Sequence, residues 1–161
     1  MQLTQTKIVS REAAKKLVSE WKLAGQEVVF TNGCFDIVHL GHIDYLEKAR
    51  NKGHKLVVGV NTDASVRQLK GDSRPVVGEQ ARARMLAAFG FVDLVVLFGE
   101  ETPQGLIEYL EPNVLVKGND YTVATIVGSD FVLRQGGKVE TIDLVEGYST
   151  TRLIQKIKNL A

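Results

Sequence analysis

The chain is short of several things, and each shortage closes off a class of protein. A single cysteine, Cys34, excludes an internal disulfide framework and suits a reducing compartment. No apolar run approaches the ~18 residues of a membrane span, and Met1-Gln-Leu-Thr-Gln-Thr-Lys7 lacks the apolar core of a secretory leader. The expectation is a cytoplasmic protein with no membrane partner. Neither sign of charge is in excess, since 20 Lys and Arg stand against 19 Asp and Glu for a net charge of +1. That balance gives no reason to expect nucleic acid as a partner, and any basic residues that matter must act locally. No repeat, linker or low-complexity stretch is visible. With 44% hydrophobic and 24% charged residues, what is left is an ordinary globular composition. Residues 1–161 read as one domain, large enough for a real core and acting on small molecules.

What is present is alternation. Ser10 can cap a first helix whose Ala14, Leu17, Val18 and Trp21 form one apolar stripe, with Gly25 at its stop. Val28 to Thr31 reads as a strand and the chain from about Leu40 as a helix. That helix turns Leu40, Ile43, Leu46 and Ala49 inward and ends at Gly53. Lys55 to Val60 has the continuous apolar character of a strand covered on both faces. Asn61-Thr62-Asp63 turns into a short helical stretch, Ala64 to Leu69, and the polar segment Lys70 to Gly78 is a loop. Glu79 to Phe89 returns to helical spacing. Asp93 to Phe98 is a third strand, and Thr102-Pro103 opens a helix to about Leu110 with proline at the first helical position. Val114 to Lys117, a helix through Ser129 to Gln135, and Val139 to Ile142 follow. Ser149 then caps a final helix through Leu153, Ile154, Ile157 and Leu160.

Five alternations of strand and helix predict a single α/β domain, Rossmann-like and doubly wound, with a five-stranded parallel sheet and helices on both faces. In such sheets ligands bind beyond the carboxyl ends of the strands, where the strand order reverses. The richest polar loops follow strands one and four, so order 3-2-1-4-5 would set them face to face. The GxGxxG and GxxxxGK[ST] patterns are absent, which argues against a dehydrogenase or a P-loop enzyme.

The centre of the reading is Asn32-Gly33-Cys34-Phe35-Asp36-Ile37-Val38-His39-Leu40-Gly41-His42. His39 and His42, three apart, share a face at the start of a helix that follows a strand, where free N–H groups and the dipole favour an anion. Gly41 between them would let a phosphate reach the backbone. Two plainer readings stand beside this one. The pair, with Cys34 near, could ligate a metal, although no further Cys/His cluster completes a site, or both could be ordinary helix-start residues. Cys34 itself reads either as a small loop-packing residue or as a reactive thiol.

This stretch, with Lys70-Gly-Asp-Ser-Arg-Pro75, Lys117-Gly-Asn-Asp-Tyr121 and Tyr148-Ser149-Thr150-Thr151-Arg152, resembles the HxGH nucleotidyltransferase superfamily. Within it, the chain looks most like the bacterial heptose 1-phosphate adenylyltransferases of lipopolysaccharide synthesis. The likeness runs from about Lys7 to Lys158. It implies ATP as substrate, a heptose 1-phosphate as acceptor, and Mg²⁺ carried by the triphosphate with no protein ligand to name. It also implies a homodimer, and a separate heptose kinase upstream.

The resemblance places the expected site residue by residue. His39, His42, Lys70 and Arg152 would be catalytic. The nucleotide would be held by Asn32, Gly33, Cys34, Phe35, His39, Gly41, His42, Lys70, Arg82, Lys117, Gly118, Asp120, Glu146, Ser149, Thr150 and Thr151. The acceptor would meet Asp36, Arg74, Asp120 and Tyr121. Solvated loop cations, a surface charge at Arg84, turn aspartates and a plain helix cap at Ser149 are the ordinary alternatives. The rival within the class is a cytidylyltransferase for glycerol 3-phosphate or a similar small alcohol phosphate. Such enzymes usually read Gly-Thr-Phe-Asp where this chain has Gly33-Cys34-Phe35-Asp36, and Arg-Thr-Glu-Gly where it has Leu144-Val145-Glu146-Gly147. A non-catalytic nucleotide-binding module is the alternative from another class.

Overall fold

A computed structural model describes residues 3–160; Met1, Gln2 and Ala161, which bound the expected 1–161 domain, lie outside the described residues. Five parallel strands, β1 (Val28–Gly33), β2 (Lys55–Asn61), β3 (Leu94–Phe98), β4 (Val114–Gly118) and β5 (Lys138–Ile142), form one sheet in the order β3-β2-β1-β4-β5. This is the order expected from the alternation, with the reversal between β1 and β4.

Alternate residues of each strand feed two cores, because successive side chains leave a strand on opposite faces. Val29, Val58, Val60, Val95, Val114 and Val116 pack under α2 (Leu40–Arg50) and α4 (Glu79–Ala87). Val28, Phe30, Val57, Val96 and Leu115 pack on the other face under α1 (Arg11–Leu23), α5 (Gln104–Leu110) and α6 (Ser129–Arg134). With both faces covered, the strands can be almost purely apolar. The remaining helices are α3 (Asp63–Lys70) and α7 (Thr150–Lys158), the latter burying no residue completely.

Local chemistry accounts for three of the helix starts. Ser10, Thr62 and Ser149 cap α1, α3 and α7, their hydroxyls accepting from the N–H groups of Ala13, Ser65 and Arg152. Pro103 sits one residue earlier than expected, at the cap of α5 rather than its first turn. The inward stripe of α2 also differs from expectation. Tyr45, Leu46 and Ala49 are buried while Leu40 is half exposed. In the first turn of α2, Gly41 and His42 line a cavity instead of the core.

Candidate functional site

At the carboxyl edge, β1 and β4 part and a cavity of about 600 Å³ opens between them. The loop after β1 supplies one wall with Asn32, Gly33, Cys34, Phe35 and Asp36, and the start of α2 adds His39, Gly41 and His42. Lys117, Gly118, Asp120 and Tyr121 of the loop after β4 face them. Lys70 at the end of α3 and Ser149, Thr150 and Thr151 at the start of α7 complete the rim. Sixteen of the residues singled out above therefore meet in one place, although they are spread over more than a hundred positions of chain.

The two imidazoles stack, with ring centroids 3.8 Å apart and planes 20° from parallel. Phe35 closes on His42 edge-on at 5.3 Å. To do so Phe35 adopts a left-handed backbone with φ 49°, a strained conformation for a non-glycine residue that is held where the surroundings over-determine it. A Cβ at Gly41 would lie 3.0 Å from the His39 ring and 3.3 Å from Tyr148, so its missing side chain makes room for the imidazole.

The electrostatics follow from burial. Desolvation holds His42 down to about 4, with help from the neighbouring His39 and Lys70, and desolvation also lowers His39. Two charges at the stacking distance would repel by about 4 kcal/mol at an effective dielectric of ~20. The site thus holds a neutral histidine pair near pH 7. Nδ1 of both rings and Oδ1 of Asn32 are buried with no hydrogen-bond partner. No side chain caps α2, whereas α7 has its Ser149 cap. Lys117 donates to the Asn32 carbonyl at 3.1 Å, and burial lowers its ammonium to about 8 although Asp120 and Cys34 pull the other way.

Four expected site residues lie elsewhere. Arg82 was expected to face a triphosphate but is wholly buried. It donates through Nε to the Val77 carbonyl (2.8 Å), through Nη1 to the Cys34 carbonyl (2.6 Å), and pairs through Nη2 with Asp63 (2.8 Å). Each of its three nitrogens is bonded to the protein, so it shapes the β1 loop from behind. Arg74 is absent from the cavity wall and donates through Nε to Asp36 at 2.6 Å. Asp36, 1% exposed, also accepts from the N–H groups of Val76 and Val77. Burial alone would raise its carboxyl, but those N–H groups and Arg74 more than offset this and hold it below the usual range. Asp36 and Arg74 therefore bind each other and clamp residues 74–77 to the β1 loop. Glu146 and Arg152 line a neighbouring depression with Gly147, because Arg152 leaves α7 on a different side from Thr150 and Thr151.

The cavity also contains residues that the sequence did not suggest: Tyr45, Asn61, Leu69, Leu144, Val145 and Tyr148. Tyr148 stacks at 6.4 Å on His39, and its place in the Tyr148–Arg152 run was the signal available for it. Among the described residues no group of three or more His, Cys, Asp or Glu is placed to hold a metal ion, and no helix is long and apolar enough to cross a membrane.

Comparison with known proteins adds three findings. Residues 30–156 match the family model described as cytidylyltransferase-like. The chain is 53% identical over 154 residues to the bifunctional protein HldE of Koribacter versatilis, covering 96% of this chain and 32% of that protein. It is 56% identical over 152 residues to the bifunctional protein HldE of Rhodospirillum rubrum, covering 94% and 31%. The chain thus spans about a third of the length of these curated relatives. Among solved structures it is similar to a lipopolysaccharide core biosynthesis protein from Thermoplasma volcanium, with TM-score 0.61 and 26% identity over 78% of this chain and 100% of that one. Pantoate-beta-alanine ligase from Francisella tularensis shares the fold, with TM-score 0.58 and 13% identity over 94% of this chain and 76% of the ligase chain.

Proposed function

Because the chain belongs to the cytidylyltransferase-like family, we propose that it transfers AMP from ATP to a heptose 1-phosphate, giving ADP-heptose and pyrophosphate. The observation that carries the proposal is the stacked, partly buried and neutral histidine pair at the uncapped start of α2, which shares one cavity with the hydroxyl run Ser149 to Thr151. Such a cavity offers two sets of donors to anions, as the meeting of a triphosphate with a sugar phosphate requires.

In the reaction a phosphate oxygen of the sugar attacks the α-phosphorus of ATP. The bond from that phosphorus to the bridging oxygen breaks, and pyrophosphate leaves with the electron pair. The attacking oxygen is already anionic, so alignment and charge neutralisation carry the catalysis and no strong base is needed. His39 and His42 donate hydrogen bonds to oxygens of the transferring phosphoryl group, and Lys70 reaches the α- and β-phosphates as a flexible cation. Lys117, Gly118 and Asp120 take the nucleoside end, while Thr150, Thr151 and Tyr121 meet the acceptor. Asp36, Arg74 and Arg82 support the loops from behind, and Arg152 and Glu146 form the entrance. Mg²⁺ would arrive with the triphosphate and would supply charge neutralisation on the leaving pyrophosphate.

In this proposal residues 1–161 work as one nucleotidyltransferase domain in the cytoplasm, as a homodimer, with a heptose kinase supplying the sugar 1-phosphate. The relatives named HldE and the lipopolysaccharide core biosynthesis protein support the pathway, and the resemblance alone supports the dimer. Mass spectrometry of a reaction with ATP and heptose 1-phosphate tests it. Equal amounts of ADP-heptose and pyrophosphate are expected, and release of ADP and inorganic phosphate in their place would overturn it.

A further inference from the structure

β1 is paired with β2 at six positions but with β4 at only two, Val29 with Val114 and Phe30 with Leu115. The next residues along, Thr31 and Val116, are where the strands separate, and the hydroxyl of Tyr45 lies between them. The Val116 carbonyl can only accept, so Tyr45 donates to it at 3.1 Å and accepts from Thr31 Oγ1 at 2.7 Å. One buried phenol thus replaces the backbone ladder at the point where the sheet splits.

We propose that Tyr45 is a positioning residue whose hydroxyl sets the width of the β1–β4 crevice, and with it the distance between the phosphate and nucleoside ends of a bound nucleotide. This rests on the nucleotidyltransferase reading of the cavity. Three observations support it. Tyr45 follows His39 and His42 at intervals of three on α2, so a shift that relaxes its bond moves both imidazoles. Burial pushes the phenol well above its ordinary range, so it keeps the proton it donates. The other tie across the split, Lys117 to the Asn32 carbonyl, comes from a flexible lysine on the cavity wall that a ligand can draw away. Packing alone would be served equally by phenylalanine.

Tyr45→Phe in the full chain keeps the ring and removes the tie. Without ligand, hydrogen exchange at residues 31–36 and 117–121 is expected to speed up about tenfold, the scale of one buried hydrogen bond, with β2 and β3 unchanged. In calorimetry, ATP, which spans both walls, is expected to bind about tenfold more weakly, while inorganic tripolyphosphate, which meets the α2 end alone, stays within about twofold. Unchanged exchange, or equal losses for the two ligands, overturns the proposal. If the wild type binds neither ligand, the nucleotidyltransferase reading falls while the exchange result still decides the role of Tyr45. Should Tyr45→Phe not fold, Thr31→Val removes half of the tie, and the same two quantities are expected to move in the same direction.

Discussion

Replacing Arg82 with leucine separates two accounts of the same residue. The guanidinium is fully buried and holds the carbonyls of Val77 and Cys34 and the carboxylate of Asp63. Leucine removes all three bonds and leaves two carbonyls without their charged donor. Asp63 is 30% exposed and can regain water, so its loss is the smallest of the three. Hydrogen bonds to a charged group are worth about 1.5–3 kcal/mol each, and breaking a buried pair on one side costs about 3–5 kcal/mol. We therefore expect Arg82→Leu to lose about 3–5 kcal/mol, a large share of the ~5–15 kcal/mol typical of a domain. Urea titration without ligand, followed by circular dichroism, measures this as a fall in the midpoint. If Arg82 instead contacted a triphosphate, the variant would unfold near the wild-type midpoint and lose nucleotide affinity. A stability change below about 1 kcal/mol would refute the supporting role.

Further expectations follow from the same geometry. His42→Ala should lower turnover on the order of a hundredfold with the fold intact, and wild-type turnover in the folded variant would remove His42 from the mechanism. The folded state holds His42 at about 4 against an ordinary 6.5, so as pH falls below 6.5 the unfolded chain takes up a proton that the folded chain refuses. Stability should drop by about 2 kcal/mol between pH 7 and pH 5, and thermal melts of His42→Gln should show a flatter pH dependence over that window. Lys70→Ala should weaken ATP binding much more than AMP binding in calorimetry, and equal losses would place Lys70 away from the α/β-phosphate region.

The strand order and the histidine-bearing loop were legible because each rests on local pattern: apolar strands, Ser and Thr caps, and a glycine between two histidines just beyond a strand. What was hidden depended on partners far away in the chain. Arg82 shares an exposed-looking helix with Arg84, and nothing nearby in sequence indicates that its partners are Cys34 and Asp63, 48 and 19 residues away. Asp36 and Arg74, 38 residues apart, each looked free to bind an acceptor until the fold paired them. Tyr45 gave no signal, since a tyrosine within an amphipathic helix reads as core and only the splitting of β1 from β4 gives its hydroxyl a task. The exposed start of α2 has the same origin. Helical periodicity finds an apolar stripe but does not show where the sheet beneath it ends.

On the proposed function the cavity joins an adenine nucleotide to a heptose 1-phosphate. The most direct test is pyrophosphate release measured across the four nucleoside triphosphates with a panel of sugar and polyol phosphates. A site that hydrogen-bonds substrate hydroxyls can reject analogues lacking them by factors of about 10⁴. The highest kcat/KM is expected for ATP with heptose 1-phosphate, with CTP and glycerol 3-phosphate far below. A value for CTP with glycerol 3-phosphate that equals or exceeds it would contradict the account and make this chain a cytidylyltransferase for a small alcohol phosphate.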